Sequence, residues 1–241
     1  MKKYILAVLV CASWAFISNE MSEGVVTYTS KMNMHKRIPD GQEEMKKMMT
    51  EFNSTQFTLS FNEETSHYKP LPIDENPFDQ SPGSGMRMKI MVQNETFIDR
   101  KNDMVTQLRE FMGKKFIIKN EASRIPWKLG EEIKEISGYT CKSATFTDEN
   151  QRDIKAWYTE AIRLPIGPDN FQGLPGLILR VEINQDETVI TADKVDLRAL
   201  KKNEIKEPKG GQEISEVEYR AMVKEQLESM GGQGGFRMSR H

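Results

Sequence analysis

The sequence is poor in cysteine and histidine, the residues that form disulfides and hold zinc. It has two cysteines and three histidines, and its net charge of -2 is only a small excess of acidic over basic residues. Cys11 lies in an apolar N-terminal stretch, so Cys141 is the one thiol in the rest of the chain, which excludes an internal disulfide there. No HxxxH, HExxH or CxxC pattern is present, which argues against a closed zinc site. The balanced charge argues against nucleic acid as a partner.

Catalytic signatures are missing as well. The sequence has no GxSxG nucleophile elbow and neither of the glycine-rich phosphate loops, GxGxxG and GxxxxGKS. The adjacent carboxylates Glu43–Glu44 and Glu131–Glu132 stand near lysines, as on solvated faces. Cys141 falls within a strand pattern, where a single cysteine is usually small apolar filler. The sequence therefore predicts a protein without enzymatic activity and without a cofactor.

Long apolar runs are absent except at the N-terminus. Lys2 and Lys3 precede residues 4–17, which carry no charge. A basic start followed by an apolar run of this length is typical of a secretory signal peptide and is too short to span a bilayer. We therefore expect residues 1–20 to be removed, with cleavage after Ala15 or nearer Ser18. The remaining chain is expected to be exported and not transmembrane.

What the sequence does contain is alternation of apolar and polar residues, the period of a half-buried strand. Because no long helical pattern separates these segments, successive strands are expected to pair antiparallel as a meander, in a sheet long enough to curl. The predicted fold class is mainly β (α+β), a curved antiparallel meander. The predicted strands cover residues 24–35, 56–68, 86–93, 95–100, 104–111, 114–120, 127–135, 139–147, 153–159, 176–184 and 187–197.

Two helices complete the predicted fold. The spacing i, i+3, i+4, i+7 predicts a short amphipathic helix that covers the concave side of the sheet through Met45, Met48, Met49 and Phe52. A C-terminal helix is predicted to begin at Ser215, with Glu218 completing a capping box. The predicted domains are a signal peptide at 1–20 and a curved β domain at 21–200. Residues 201–241 are predicted to be a polar linker, this helix and a disordered Gly/Met tail.

A turn rich in proline and glycine precedes the strand at 176–184. Three prolines fix φ and three glycines permit conformations that other residues cannot reach, in a stiff crossover that contains Pro165, Gly167, Pro168, Gly173, Pro175 and Gly176. In one interpretation this turn is structural and sets the register of Leu177, with Trp127 and Trp157 as core anchors. In the other, Phe171, Leu174, Pro175 and Leu177 form a rigid loop that docks a partner.

The hexapeptide GLPGLI, residues 173–178, resembles the motif of the GLPGLI family of Gram-negative envelope proteins. Three further blocks, at 136–146, 155–162 and 167–172, are similar to that family's blocks in order and spacing. The resemblance implies export to the periplasm or cell envelope and supplies no catalytic residues. The predicted sheet is also similar to the half-barrel of lipoprotein carriers, which is a likeness of fold.

These observations predict a non-enzymatic cell-envelope protein that binds a hydrophobic ligand or an envelope partner on its concave face. The predicted helix with Met45, Met48, Met49 and Phe52 would act as a lid over Leu177, Leu179, Val181 and Ile183. Two alternatives stay open. Met32, Met34 and His35 offer the soft ligands that Cu(I) or Ag(I) prefers. A solidly packed sheet would instead indicate a protein–protein interaction module.

Overall fold

The computed structural model describes residues 22–38, 41–71 and 94–232. The predicted signal peptide, the predicted strand at 86–93 and the Gly/Met tail from residue 233 lie outside these ranges. The strands are β1 Gly24–Asn33, β2 Phe52–Phe61, β3 Thr65–Pro70, β4 Glu95–Asp99, β5 Met104–Phe111, β6 Lys114–Glu121, β7 Lys128–Ile136, β8 Tyr139–Thr147, β9 Asp153–Thr159, β10 Leu177–Ile183, β11 Thr188–Leu197 and β12 Gln212–Glu213. The helices are α1 Glu43–Met48 and α2 Glu216–Gly232, with a 3₁₀ turn at His35–Arg37. Within the described ranges, no helix combines the length and apolarity needed to cross a membrane.

All twelve described strands belong to one sheet, in the order β12-β6-β5-β4-β3-β2-β1-β11-β10-β9-β8-β7. Two antiparallel meanders, β1 to β6 and β7 to β11, are joined where β1 pairs with β11. The predicted meander is therefore interrupted once, because β6 and β7 follow each other in the chain but lie at opposite ends of the eleven strands from β6 to β7, which we call the main sheet; the short β12 lies beyond β6.

This connectivity requires a strongly curved sheet. Ten strand spacings separate β6 from β7, which would be about 48 Å in a flat sheet. The chain between Glu121 and Lys128 has only residues 122–127, which span at most about 25 Å. The two ends of the sheet must therefore approach each other, although the sheet does not close. The predicted mainly β fold with a curved antiparallel sheet is confirmed.

The main core lies on the concave side, which we call the inner face. Tyr28, Leu59, Tyr68 and Val181 project there, and the Tyr28 and Tyr68 rings meet edge to face at 6.1 Å. The Tyr28 hydroxyl donates to the carbonyl oxygen of Ile178 at 2.6 Å. An irregularity in the pairing of β10 with β9 breaks the predicted alternation, so that Leu177, Ile178 and Leu179 are all fully buried.

The connection between β9 and β10, residues 160–176, covers the inner face. Its side chains Ile166 and Leu174 are buried in the core. Its Asp169 accepts a hydrogen bond from the hydroxyl of Thr96 on β4 at 2.6 Å and lies 3.4 Å from the guanidinium of Arg109 on β5. This connection thus spans from one half of the curved sheet to the other and leaves the inner face filled.

Helix α1 forms where a helix was predicted but buries none of its residues. It ends at Met48, Met49 has an extended backbone, and Phe52 already begins β2. The predicted stripe is therefore not one helical face, and Met48 is 88% exposed. Met45, Met49 and Phe52 are exposed as well, so α1 does not act as a lid over the core.

The segment after β11 is bound to the sheet. Glu207 accepts a hydrogen bond from Thr106 on β5 at 3.0 Å, and Pro208 is buried. β12 then pairs parallel with β6, and α2 follows with the predicted capping box at Ser215 and Glu218. On α2, Tyr219 packs edge to face on Phe116 of β6 at 5.7 Å.

Candidate functional site

The opposite side of the sheet, which we call the outer face, carries a depression of about 390 Å³. We call it the outer depression. Its lining combines four charged side chains, two hydroxyls and two apolar groups, contributed by β1, β2, β10, β11 and the β10–β11 turn. The lining residues are Thr29, Lys31, Phe52, Arg180, Asp186, Val189, Thr191 and Asp193.

Strand register brings these residues together. Thr29 on β1 pairs with Thr191 on β11, which in turn pairs with Arg180 on β10. Because successive side chains of a strand point to opposite faces, these three share the outer face while their neighbours Tyr28 and Ile190 are buried inside. The same strands thus build the core on one side and a polar surface on the other.

Arg180 forms one half of the polar network. Its Nη1 donates to Thr191 Oγ1 at 2.9 Å, and its Nε donates to Glu182 Oε1 at 2.6 Å. Trp157 Nε1 donates to the same Glu182 oxygen at 3.3 Å. These contacts fix the guanidinium plane, and since a guanidinium has five N–H donors, others remain for a ligand.

Asp193 and Lys31 form the other half. The Thr29 hydroxyl donates to one carboxylate oxygen of Asp193 at 2.7 Å. The Lys31 ammonium lies 3.9 Å from the centre of the exposed Phe52 ring. The outer depression therefore presents an oriented anion, an oriented cation and an aromatic ring on one open surface.

The β10–β11 turn forms one rim of the outer depression. Residues 184–186 all have positive φ. Arg37 Nε lies 2.7 Å from Glu187, and Lys36 Nζ donates to the carbonyl oxygen of Gln185. Hydrogen bonds from Asn184 and then Arg37 lower the pKa of Glu187. These contacts hold the turn, and with it Asp186, in a defined position.

This arrangement suits a polar, hydroxyl-rich ligand. Hydroxyl groups donate and accept at the same atom, so they match a surface that offers guanidinium and ammonium donors beside carboxylate acceptors. Phe52 and Val189 add contact for the apolar side of such a ligand.

The residues predicted to line a hydrophobic site are part of the core. Leu177, Leu179 and Val181 are fully buried, and Phe171 and Leu174 of the crossover are buried beside them. Pro175 alone of the predicted docking loop is exposed. Where the structure describes the inner face, these side chains thus fill the position at which an open groove for a lipid-like ligand was predicted.

The crossover glycines are explained by close packing. A Cβ at Gly176 would overlap the carbonyl oxygen of Thr159, and one at Gly167 would lie 2.7 Å from Cβ of Ile178. Gly173 has φ +91°. Pro168 is buried, and Trp127 Nε1 donates to the carbonyl oxygen of Gln172 at 2.8 Å. These contacts favour the structural interpretation of this turn.

The alternative copper ligands do not form a prepared site. His35 Nε2 is bonded to the carbonyl oxygen of Met49 at 3.0 Å, while Met32 and Met34 are half-buried. Over the described ranges, no group of three His, Cys, Asp or Glu side chains is placed to hold a metal ion. Burial raises the pKa of the Cys141 thiol to about 11, which fits its role as filler.

One family model and two solved structures show what the chain is similar to. The family model described as "N-glycanase peptide, N-terminal domain" matches residues 86–221, more than half of the chain. Two solved structures of PNGF-II, in space groups C2 and P21, are similar to the chain with TM-scores of 0.56 and 0.55 at 19% and 18% identity. Each comparison covers 84% of this chain but 32% and 33% of the PNGF-II chains, so the chain spans about a third of their length. Comparison with curated protein sequences finds no match.

These matches overturn the predicted identity. The resemblance to the GLPGLI family is wrong, because the family model that matches is the N-glycanase domain. The predicted non-enzymatic envelope protein, with its hydrophobic ligand, copper or interaction-module alternatives, is wrong for the same reason. The residues that suggested the resemblance include two that close packing in the crossover requires, namely Gly176 of the hexapeptide and Gly167 of the preceding block.

Proposed function

The chain belongs to the family of N-glycanase N-terminal domains, and on this premise we propose that it takes part in removing N-linked glycans from glycoproteins by binding the glycan in the outer depression. The observation that carries this proposal is the family match over residues 86–221. The matched region contains five of the eight residues that line the depression, namely Arg180, Asp186, Val189, Thr191 and Asp193.

The chemistry of the outer depression supports a glycan as ligand. Sugar rings carry hydroxyls around their edge and C–H groups on their faces. The hydroxyls can donate to Asp193 and accept from Arg180, whose orientations are fixed by Thr29 and Thr191. A ring face can pack on the apolar group formed by Phe52 and Val189.

The binding test uses calorimetry with a free N-glycan oligosaccharide and the intact chain. Asp193→Asn removes a charged acceptor and Lys31→Met removes a charged donor while keeping an apolar stem. Each is expected to weaken binding by about tenfold, because a hydrogen bond to a charged group contributes about that much. Asp196→Asn is the matched control, since this carboxylate lies on the same strand, contacts Arg198 and does not line the depression. Equal losses in Asp196→Asn and Asp193→Asn would contradict the proposed site.

A second measurement follows the glycan itself. An Asn-glycosylated peptide is incubated with the chain and its mass is monitored. Release of the glycan would place hydrolysis in this chain in addition to binding. Binding without release would place the reaction in another part of a longer N-glycanase. The absence of both binding and release would overturn the proposed function.

Export and domain organisation extend the proposal. A signal peptide at 1–20, a β domain at 21–200 and a C-terminal segment at 201–241 suit a protein that meets glycoproteins outside the cell. The uncharged residues 4–17 after Lys2 and Lys3 support this organisation. Intact-mass measurement of the exported protein should show the loss of about 15 to 20 N-terminal residues. A full-length species confined to the cytosol would contradict it.

A further inference from the structure

The two end strands of the main sheet, β6 and β7, differ in whether another described strand pairs with them. At the β6 end, the chain adds its own strand β12 beside Phe116 and Ile117. Tyr219 of α2 then packs on Phe116. At the β7 end, no described strand pairs with the outer side of β7, and eight of its nine residues are exposed. Among the residues that the structure describes, β7 therefore has backbone donors and acceptors on this side that pair with no other strand.

Apolar side chains accompany this free edge. Leu129 is 64% exposed and Ile133 is 69% exposed. Leu129 pairs with Ala144, which is fully buried in the core, and Ile133 pairs with Lys142 two residues along the same strand. Both apolar side chains thus lie on the inner-face side of the sheet, where the core reaches its rim. In the part of the chain that the structure describes, the core therefore ends at this edge with two exposed apolar side chains.

Polar contacts on the outer face connect β7 with the outer depression. Lys155 on β9 reaches both carboxylate oxygens of Glu132 on β7, at 2.7 and 2.8 Å. Its ammonium also lies 4.8 Å from the Trp157 ring, and Trp157 donates to Glu182, the partner of Arg180. Three strand spacings, about 14 Å, separate β7 from β10. An oligosaccharide of a few rings spans that distance.

We propose that the free edge of β7 binds an extended peptide segment of the glycoprotein whose glycan lies in the outer depression. The proposal rests on the proposed function, and it adds the protein part of the substrate to the site. The peptide would pair its backbone with β7 and place apolar side chains over Leu129 and Ile133. Glu131, Glu135 and the irregular pairing between Leu129 and Ile133 disfavour a long, flat contact with a second copy of β7.

The first experiment maps the contact by amide hydrogen exchange. Three probes are used with the intact chain: a glycopeptide of about ten residues, a length that matches β7; the same peptide without its glycan; and the free oligosaccharide. We expect both peptides to slow exchange in residues 128–136 and the free oligosaccharide to leave this strand unchanged. Unchanged exchange in β7 with both peptides would overturn the proposal.

The second experiment measures affinity in variants. Leu129→Lys and Ile133→Lys remove exposed apolar contacts, so each should weaken glycopeptide binding by about tenfold while affinity for the free oligosaccharide stays the same. Val217→Lys is the matched control, because Val217 is 78% exposed and lies on α2. Glycopeptide affinity that falls equally in all three variants would overturn the proposal.

The outcomes separate the two proposals. If the free oligosaccharide binds and the β7 variants leave glycopeptide affinity unchanged, the glycan site stands and the peptide site fails. If the free oligosaccharide does not bind and both peptides protect β7, the peptide site stands and the glycan site fails. Light scattering tests whether a second copy of the chain binds the edge instead. A dimer mass for the wild type that returns to the monomer mass in Ile133→Lys would show that a second copy binds β7, and would overturn the proposal.

Discussion

The inner and outer faces of this sheet are built by the same strands and differ in what their side chains do. On the inner face Tyr28, Leu179 and Val181 are fully buried against residues 160–176. On the outer face Lys31 and Asp193 are exposed, and their positions are set by single contacts with Phe52 and Thr29. Burial of apolar area stabilises a fold far more than exposed polar contacts do. The comparison teaches that around β1, β10 and β11 the apolar packing lies on the inner face, which leaves the outer face of these strands free to serve binding.

The strongest test of this comparison is Gly176→Val. The backbone of Gly176 packs so closely on β9 that a Cβ would overlap the oxygen of Thr159 and lie 2.7 Å from its carbonyl carbon. Neither atom can move without displacing the strand, so we expect the free energy of unfolding to fall by about 3 kcal/mol or more. Urea denaturation measures this as a lower midpoint.

Gly173→Ala is the control for the same turn. Gly173 has φ +91°, and a Cβ at this position would have no atom within 4 Å, so only backbone strain opposes the substitution. We expect a loss of about 1 kcal/mol. If both variants lose the same free energy of unfolding, the close approach of Gly176 to Thr159 is not the cause of the destabilisation.

A smaller effect is expected at Asp169, which ties the inner-face connection to the other half of the sheet. Asp169→Ala removes the acceptor of the buried Thr96 hydroxyl and the contact with Arg109. We expect the free energy of unfolding to fall by about 1–2 kcal/mol. Asp169→Asn keeps an acceptor oxygen and tolerates the positive φ of 52°, so it should retain most of the stability. If Asp169→Asn loses as much free energy of unfolding as Asp169→Ala, the negative charge of Asp169 alone accounts for the effect.

The strands were largely predictable from the sequence, and their partners were not. Alternation gave β5, β8 and β9 with their observed bounds. It merged β2 and β3, because Asn62 to Glu64 lack the Gly or Pro that usually marks a turn. It also missed the pairing of β1 with β11. The alternation of apolar and polar residues shows which side chains of one strand share a face. Which distant strands pair depends instead on how the whole sheet curls.

The candidate site escaped prediction for a related reason. Thr29, Arg180 and Asp193 occupy ordinary polar positions of three strands, and each alone is typical of a solvated face. A signal was present in Arg180 and Glu182, the two charged residues of an otherwise apolar strand. The sequence could not show that Thr191 lies between Thr29 and Arg180, because this follows from the register of β1, β10 and β11.

The smallest expected effect concerns the start of the segment that follows β11. Arg198 donates through both terminal nitrogens to the two carboxylate oxygens of Glu204, at 2.8 and 2.5 Å. The hydrogen bonds from Arg198 lower the pKa of Glu204 to about 2. Because the folded-state pKa lies below the usual value of about 4.3, the carboxylate stabilises the fold above about pH 5. This contribution is lost as the pH falls toward 2.

Glu204→Gln should therefore lower the Tm at pH 7 by less than Asp169→Ala does, and the difference from the wild type should shrink steadily between pH 5 and about pH 2. Thermal unfolding over a series of pH values measures it. Glu213→Gln is the control, since Glu213 pairs with Lys119 at 3.2 Å but its side chain is 75% exposed, and its Tm should match that of the wild type throughout. If the Tm difference between Glu204→Gln and the wild type does not change with pH, the packing of the residue 204 side chain, and not its charge, stabilises this segment.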